Sequence, residues 1–187
     1  MMALSDTEEL ILDSALALFL RYGLAKTSMS DIAREASLSR TALYNHFATK
    51  ESIFKSISQR INRNVRAGVL TAVDTDGDWQ DRLKNVMEAR LVWVFELLSS
   101  PPHGRELIDE KNRLCGGEVL ATNDAFFGYV QKLCLERTAN DSEAEQMARI
   151  LIRSVNGIMD AALTEAEARI EIRQFIDYMD RATRYSS

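Results

Sequence analysis

The stretch that most constrains this chain is Thr27–Lys50, TSMSDIAREASLSRTALYNHFATK. It reads as two short helices joined by a tight turn. Ser28 stands where an N-cap belongs, and Asp31 follows at the spacing of a capping box. Met29, Ile32, Ala33 and Ala36 then share one helical face. Ser37-Leu38-Ser39 ends that helix, and Ser39 caps the next. In the second helix Leu43 and Phe47 point inward, with Leu38 beside the turn, which leaves Arg40, Thr41, Ala42, Tyr44 and Asn45 outside. Small or polar groups on the first turns of a short helix suit the major groove, which admits a helix and is read through donors, acceptors and thymine methyls. The stretch is therefore read as a helix-turn-helix. Its base-facing residues are Arg40, Thr41, Ala42 and Asn45. Arg40 has the geometry for a guanine, Thr41 or Ala42 for a thymine methyl, and Asn45 for either an adenine or a phosphate.

The run IAREASLSRTALYNHFATKESIF closely resembles the DNA-binding signature of the TetR family of transcriptional regulators. The matching features are Ile32-Ala33, Ala36 at the turn, Leu38-Ser39, Leu43-Tyr44, His46-Phe47, Lys50-Glu51 and Ile53-Phe54. The family's glycine at the turn is Ser37 here. The resemblance covers roughly the first third of the chain; beyond it, only the all-helical layout agrees. It implies an all-α fold: an N-terminal three-helix helix-turn-helix DNA-binding domain over residues 1–48, then a helical effector-binding and dimerisation domain over 49–187. It also implies that Lys50 touches the DNA backbone at the start of the helix joining head to body. A lysine there is physically apt, because free N–H groups at a helix start also attract phosphate. Tyr44 matches the family tyrosine and offers a hydroxyl donor. Thr27, Ser28 and His46 complete the expected phosphate-facing set.

Composition agrees with a helical protein. Of 187 residues only two are proline, Pro101 and Pro102, and eight are glycine. Strand-like alternation is absent over any useful length. The net charge of −5 is unusual for a DNA binder, but it is unevenly spread. Residues 1–66 carry nine Lys or Arg against seven Asp or Glu, a net +2, and residues 67–187 carry −7. The basic excess lies at the end that holds the motif. No signal-peptide core and no apolar run of bilayer length is visible, so a cytoplasmic protein that meets no membrane is expected. Cys115 and Cys134 lack a paired spacing and read as buried thiols.

Residues 6–22 read as a first helix with a stripe of Ile11, Ala15, Leu18 and Tyr22, widened by Leu10, Ser14 and Phe19, and Gly23 stops it. Thr49 is placed to cap a fourth helix beginning at Lys50. Val69, Leu70 and Val73 extend that helix toward an acidic loop, Asp74–Asp78, whose spacing is wrong for calcium. A long helix follows over 79–98, and Ser99–Gly104 breaks it. A weakly patterned segment from Arg105 to Cys115 ends or is interrupted at Gly116-Gly117. Helices are then expected over 124–137, 143–163 and 165–182.

The resemblance also implies an effector pocket in the body, for which Met87, Arg90, Trp93, Phe95, Arg113, Phe126 and Phe127 are the candidate lining groups. It implies a homodimer joined through the last two helices, at Leu151, Val155, Ile158, Met159, Ala162, Ile172, Phe175, Ile176 and Met179. Dimerisation fits DNA reading, since two heads must sit about 34–36 Å apart to meet successive turns of one groove face. The expected function is a ligand-responsive regulator, a repressor that binds a pseudo-palindromic double-stranded DNA operator and is released by a small-molecule effector. The alternative is a helical adaptor that binds another protein through residues 143–182. No catalytic, metal or cofactor site is expected: His46 and His103 are isolated, and there is no glycine-rich phosphate loop or serine elbow.

Overall fold

The computed structural model describes residues 5–73, 76–98 and 102–184, with the helical backbone alone over 91–98. The described residues form helices joined by short links. In chain order these are α1 (Asp6–Tyr22), α2 (Met29–Glu35), α3 (Arg40–His46), α4 (Lys50–Val73), α5 (Trp79–Leu98), α6 (Gly104–Cys134), α7 (Asp141–Ala161) and α8 (Glu165–Arg184).

The starts of the head helices are fixed locally. Ser5 and Glu8 form a capping box on α1, and Ser28 and Asp31 form one on α2. Ser39 Oγ accepts the Ala42 N–H at 3.1 Å to open α3. Thr49 and Ser52 exchange side-chain-to-backbone bonds at the start of α4. Each cap answers backbone donors that the first turn leaves unpaired, a contribution of about 1 kcal/mol.

The chain divides into two compact units. Unit 1 is Met1–Asn62 with Leu97–Val119. Its interior is Ile11, Leu12, Phe19, Ile32, Leu43, Ile53 and Ile57, all nearly inaccessible. The rings of Phe19 and Phe54 meet at 6.0 Å. Leu10 and Tyr22 of the expected α1 stripe face out instead. Arg60 of α4 bonds Glu9 at 2.6 Å and Asp13 at 2.7 Å. Gly23 has φ 82°, and a Cβ there would stand 3.1 Å from Glu106 and 3.3 Å from His103. The beginning of α6 therefore packs on the end of α1, where only glycine fits the backbone.

Unit 2 is Arg63–Glu96 with Leu120–Ser187. Its core gathers Val69, Leu83, Val86 and Met87 with Val130, Leu133, Leu151, Val155, Ile172 and Ile176. Trp79 Nε1 donates to Leu133 O at 2.8 Å. Glu88 is held between Arg169 at 2.9 Å and Arg173 at 2.6 Å, and Lys84 bonds Asp177 at 2.6 Å.

Two expectations are corrected. The segments read as a weak stretch to Cys115 and a separate helix over 124–137 are one 31-residue helix, α6, kinked at Cys115 (φ −123°, ψ 22°). Helix resumes through Gly116-Gly117 because the apolar residues on either side, Leu107 before and Phe126, Val130 and Leu133 after, are buried. Burial of such side chains outweighs a propensity cost of about 1 kcal/mol per glycine. Second, five of the nine expected dimer residues face the subunit's own interior, and the other four stay partly exposed at its edge. Leu151, Val155, Met159, Ile172 and Ile176 are buried core, while Ile158, Ala162, Phe175 and Met179 pack against it half-buried. The apolar stripe needed to close unit 2 is the stripe visible in the sequence. Ile150, Leu163, Ile170 and Tyr178 are the large apolar groups of α7 and α8 and their link that remain exposed.

Cys115 and Cys134 are free and buried. No helix among the described residues is long and apolar enough to cross a membrane. Part of the acidic loop (Asp74 and Thr75), the break at Ser99, Ser100 and Pro101, and the side chains of Trp93 and Phe95 lie outside the described residues.

Candidate nucleic-acid interface and body cavity

The motif helices α2 and α3 are seven residues each and have no core of their own. They are held by their inward groups: Ile32, Ala33, Ala36, Leu43 and Phe47 are buried against unit 1. The turn between them depends on Ser37, whose φ of 55° is left-handed. Its N–H bonds Arg34 O at 3.1 Å, and the Leu38 N–H bonds Ala33 O at 2.8 Å.

With Leu43 and Phe47 anchored, the remaining side of α3 is free. Arg40, Thr41, Tyr44, Asn45 and His46 are exposed and Ala42 is half-exposed. This ridge of one cation, hydroxyls, an amide and small groups has the chemistry to meet base edges and phosphates. His46 Nδ1 lies 3.9 Å from Glu8. The Glu8 carboxyl is held below the usual range, first by the Ser5 backbone N–H. Ser28 is exposed at the start of α2, with its hydroxyl on Asp31 at 2.6 Å. That hydroxyl and a backbone N–H from Ser28 also lower the Asp31 pKa.

Two residues of the expected phosphate set are placed otherwise. Thr27 is buried, and its hydroxyl donates to Gly23 O at 2.9 Å. The Lys50 ammonium donates to the carbonyls of Leu24 at 2.7 Å, Ala25 at 3.0 Å and Thr27 at 3.1 Å. A protonated lysine has three donors, and all three are engaged inside the head. Nothing in the sequence pattern signals this long-range bond, because its partners are main-chain oxygens.

In unit 2 a cavity of about 320 Å³ opens between α5, α6 and α7. Of the residues expected to line a pocket, Arg90 and Phe127 do so. Phe126 lies just beneath, its ring 4.3 Å from the Arg90 guanidinium. Met87 is sealed in the core, and Arg113 belongs to unit 1, where it pairs with Glu110 at 2.6 Å. Asn123, Asp124, Arg149, Ile152 and Asn156 complete the lining. Sequence reading missed these five because four are ordinary surface types on their own helices and Ile152 reads as part of an apolar helix stripe. Burial holds the Arg90 pKa below the usual arginine value. Among the described residues, no group of three or more His, Cys, Asp or Glu is arranged to hold a metal.

A capped helix pair with an outward polar ridge on a helical body defines a helix-turn-helix protein. Residues 11–57 match the family model described as bacterial regulatory proteins, tetR family. Residues 11–57 thus resemble that family's amino-terminal domain, and the all-α layout of the chain is shared with solved structures described as members of it. It is 30% identical over 111 residues to the HTH-type transcriptional activator FasR of Mycolicibacterium smegmatis, which covers 59% of this chain and 49% of that one. The chain therefore spans about half the length of that relative. It is 27% identical over 170 residues to the HTH-type transcriptional repressor BepR of Brucella suis biovar 1, covering 83% of this chain and 80% of the other. In three dimensions it resembles a TetR-family transcriptional regulator from Streptomyces coelicolor with a TM-score of 0.75 and 20% identity, over 96% of this chain and 90% of that one.

Proposed function

We propose that this protein is a ligand-responsive transcriptional regulator that binds a pseudo-palindromic DNA operator as a homodimer and represses until a small-molecule effector releases it. The observation that carries the reading is the free ridge of α3, held outward by buried Leu43 and Phe47. Arg40, Thr41, Ala42 and Asn45 face bases in this reading. Ser28, Tyr44 and His46 meet phosphates. Thr27 and Lys50 support the head from within, the Lys50 charge adding only to the general attraction for DNA. Residues 1–48 form the DNA-reading segment, and residues 49–187 bind effector and dimerise.

Pairing of two subunits is assigned to the outer faces of α7 and α8. On α7 the exposed line is Ile150, Gly157 and Ala161, and Leu163, Ala166 and Ile170 continue it at helical spacing into α8. Exposed large apolar groups beside small ones fit a close helix–helix contact between copies.

The test is a titration with duplex DNA from just upstream of the protein's own gene, at two salt concentrations. Tight, sequence-dependent retention that weakens as salt rises supports the regulator. No retention even at low salt would remove the reading.

A further inference from the structure

Among the described residues, the unit 2 cavity holds a cation, Arg90, that is paired with no carboxylate. Arg90 stacks on Phe126 and donates one N–H to the Asn123 side-chain oxygen at 3.1 Å. Among the described residues no carboxylate reaches it. By contrast, Arg82, Arg137, Arg169 and Arg173 in the same unit each hold one. A guanidinium has five N–H donors in a planar fork that matches a carboxylate. Beside it, the Arg149 guanidinium lies 5.2 Å from the Phe127 ring centre, with its charge answered by Glu145. Phe127 and Ile152 provide apolar wall, and Asp124 is the cavity's own acid.

We propose that this cavity binds a small aromatic carboxylate, its carboxylate on Arg90 and its ring against Phe127 and Ile152. The assignment rests on the regulator reading for its biological meaning, since it names the class of effector; the binding itself is a property of the protein without DNA. Three features select this class. A neutral ligand would further desolvate the guanidinium without answering its charge. A cationic ligand would gain Asp124 but face two guanidiniums. The volume is at the small end of ligand sites, which run from about 300 to 1,000 Å³, so one or two rings fit better than a long chain.

The experiment is calorimetric titration of the full chain, without DNA, using three matched probes: naphthalene-2-carboxylate, 2-naphthylmethanol and 2-naphthylmethylamine. The acid is expected to bind at least tenfold more tightly than the alcohol, with the amine weakest. Arg90→Gln should weaken the acid at least tenfold and leave the alcohol unchanged. Arg90→Lys should retain part of the preference, and Asp124→Asn should not weaken the acid. Thermal melts establish that each variant is folded. Tightest binding of the amine, or unchanged acid affinity in folded Arg90→Gln, overturns the proposal, as does failure of the acid to bind at millimolar concentration. If the acid binds through Arg90 but the protein retains no duplex, the ligand assignment stands and the regulator reading falls. If duplex is retained specifically and the acid does not bind, only the ligand assignment falls.

Discussion

The ammonium of Lys50 lies 2.7 Å from the carbonyl oxygen of Leu24, twenty-six positions earlier in the chain. Together with Ala25 and Thr27, Leu24 belongs to the link between α1 and α2, so one side chain ties the start of α4 to the approach of the motif. Lys50→Met removes three charge-assisted bonds and leaves these carbonyls without their shared donor. A loss of about 1–3 kcal/mol is expected in urea unfolding. Were the variant equally stable but its DNA affinity less salt-dependent by about one phosphate's worth of slope, the ammonium would be serving DNA instead.

Ser37 holds a left-handed conformation that costs a side-chain-bearing residue about 1–2 kcal/mol. Ser37→Gly relieves it while adding some freedom to the unfolded chain. A net gain of about 1 kcal/mol in chemical denaturation is expected, and a loss would mean that the serine hydroxyl supplies a compensating contact.

Arg40 is exposed at the first position of α3, away from the buried side of that helix. Arg40→Ala is expected to leave the melting temperature unchanged. On the cognate operator it should cost about 1–3 kcal/mol and relax preference at one base position. Competition binding against single-base operator variants reads this directly; uniform weakening on every sequence would reassign Arg40 to phosphate.

Leu163 and Ile170 are 89% and 57% exposed, while Leu151 is fully enclosed. Ile170→Glu should shift the protein to monomer in sedimentation without lowering its helical content. Leu151→Ala should instead cost about 2–5 kcal/mol of stability, because it opens a void in the subunit's own core. A dimer that survives Leu163→Glu and Ile170→Glu together would place the contact elsewhere.

Burial pushes the Cys134 thiol up to about 12. An unfolded thiol ionises near about 8.5, so above that pH the unfolded chain releases a proton that the folded one keeps. Stability should therefore fall as pH rises from about 8.5, and this slope should be shallower in Cys134→Ala. Alkylation by iodoacetamide at pH 8 should leave Cys134 unmodified until the protein is unfolded.

What was readable in the sequence follows the range of the forces involved. Ser28, Ser39 and Thr49 announce helix starts because a cap acts within three residues, and these starts are the observed ones. The kinked continuity of α6 was hidden, because Gly116-Gly117 is a local breaker overruled by burial on both sides. The stripe through Leu151, Val155 and Ile172 marks an apolar face, but helical period does not say whether the subunit or a partner covers it. The cavity was half legible: Arg90 and Phe127 were among the expected lining groups, whereas Arg149 of α7 joins them only through tertiary packing of separate helices.

The two compact units exchange chain at Asn62–Arg63, Glu96–Leu97 and Val119–Leu120, and each exchange lies inside a helix rather than in a loop. The head's own fold is therefore not contained in one continuous stretch of chain. A chimaera made by grafting its first sixty residues onto a foreign body would lack Leu107 and the Glu106–His103 pair that faces Gly23, and would inherit an unfilled patch where α6 begins. Transplanting this recognition module requires moving residues 97–119 along with it, a discontinuous graft whose two pieces are far apart in the gene and side by side in the fold.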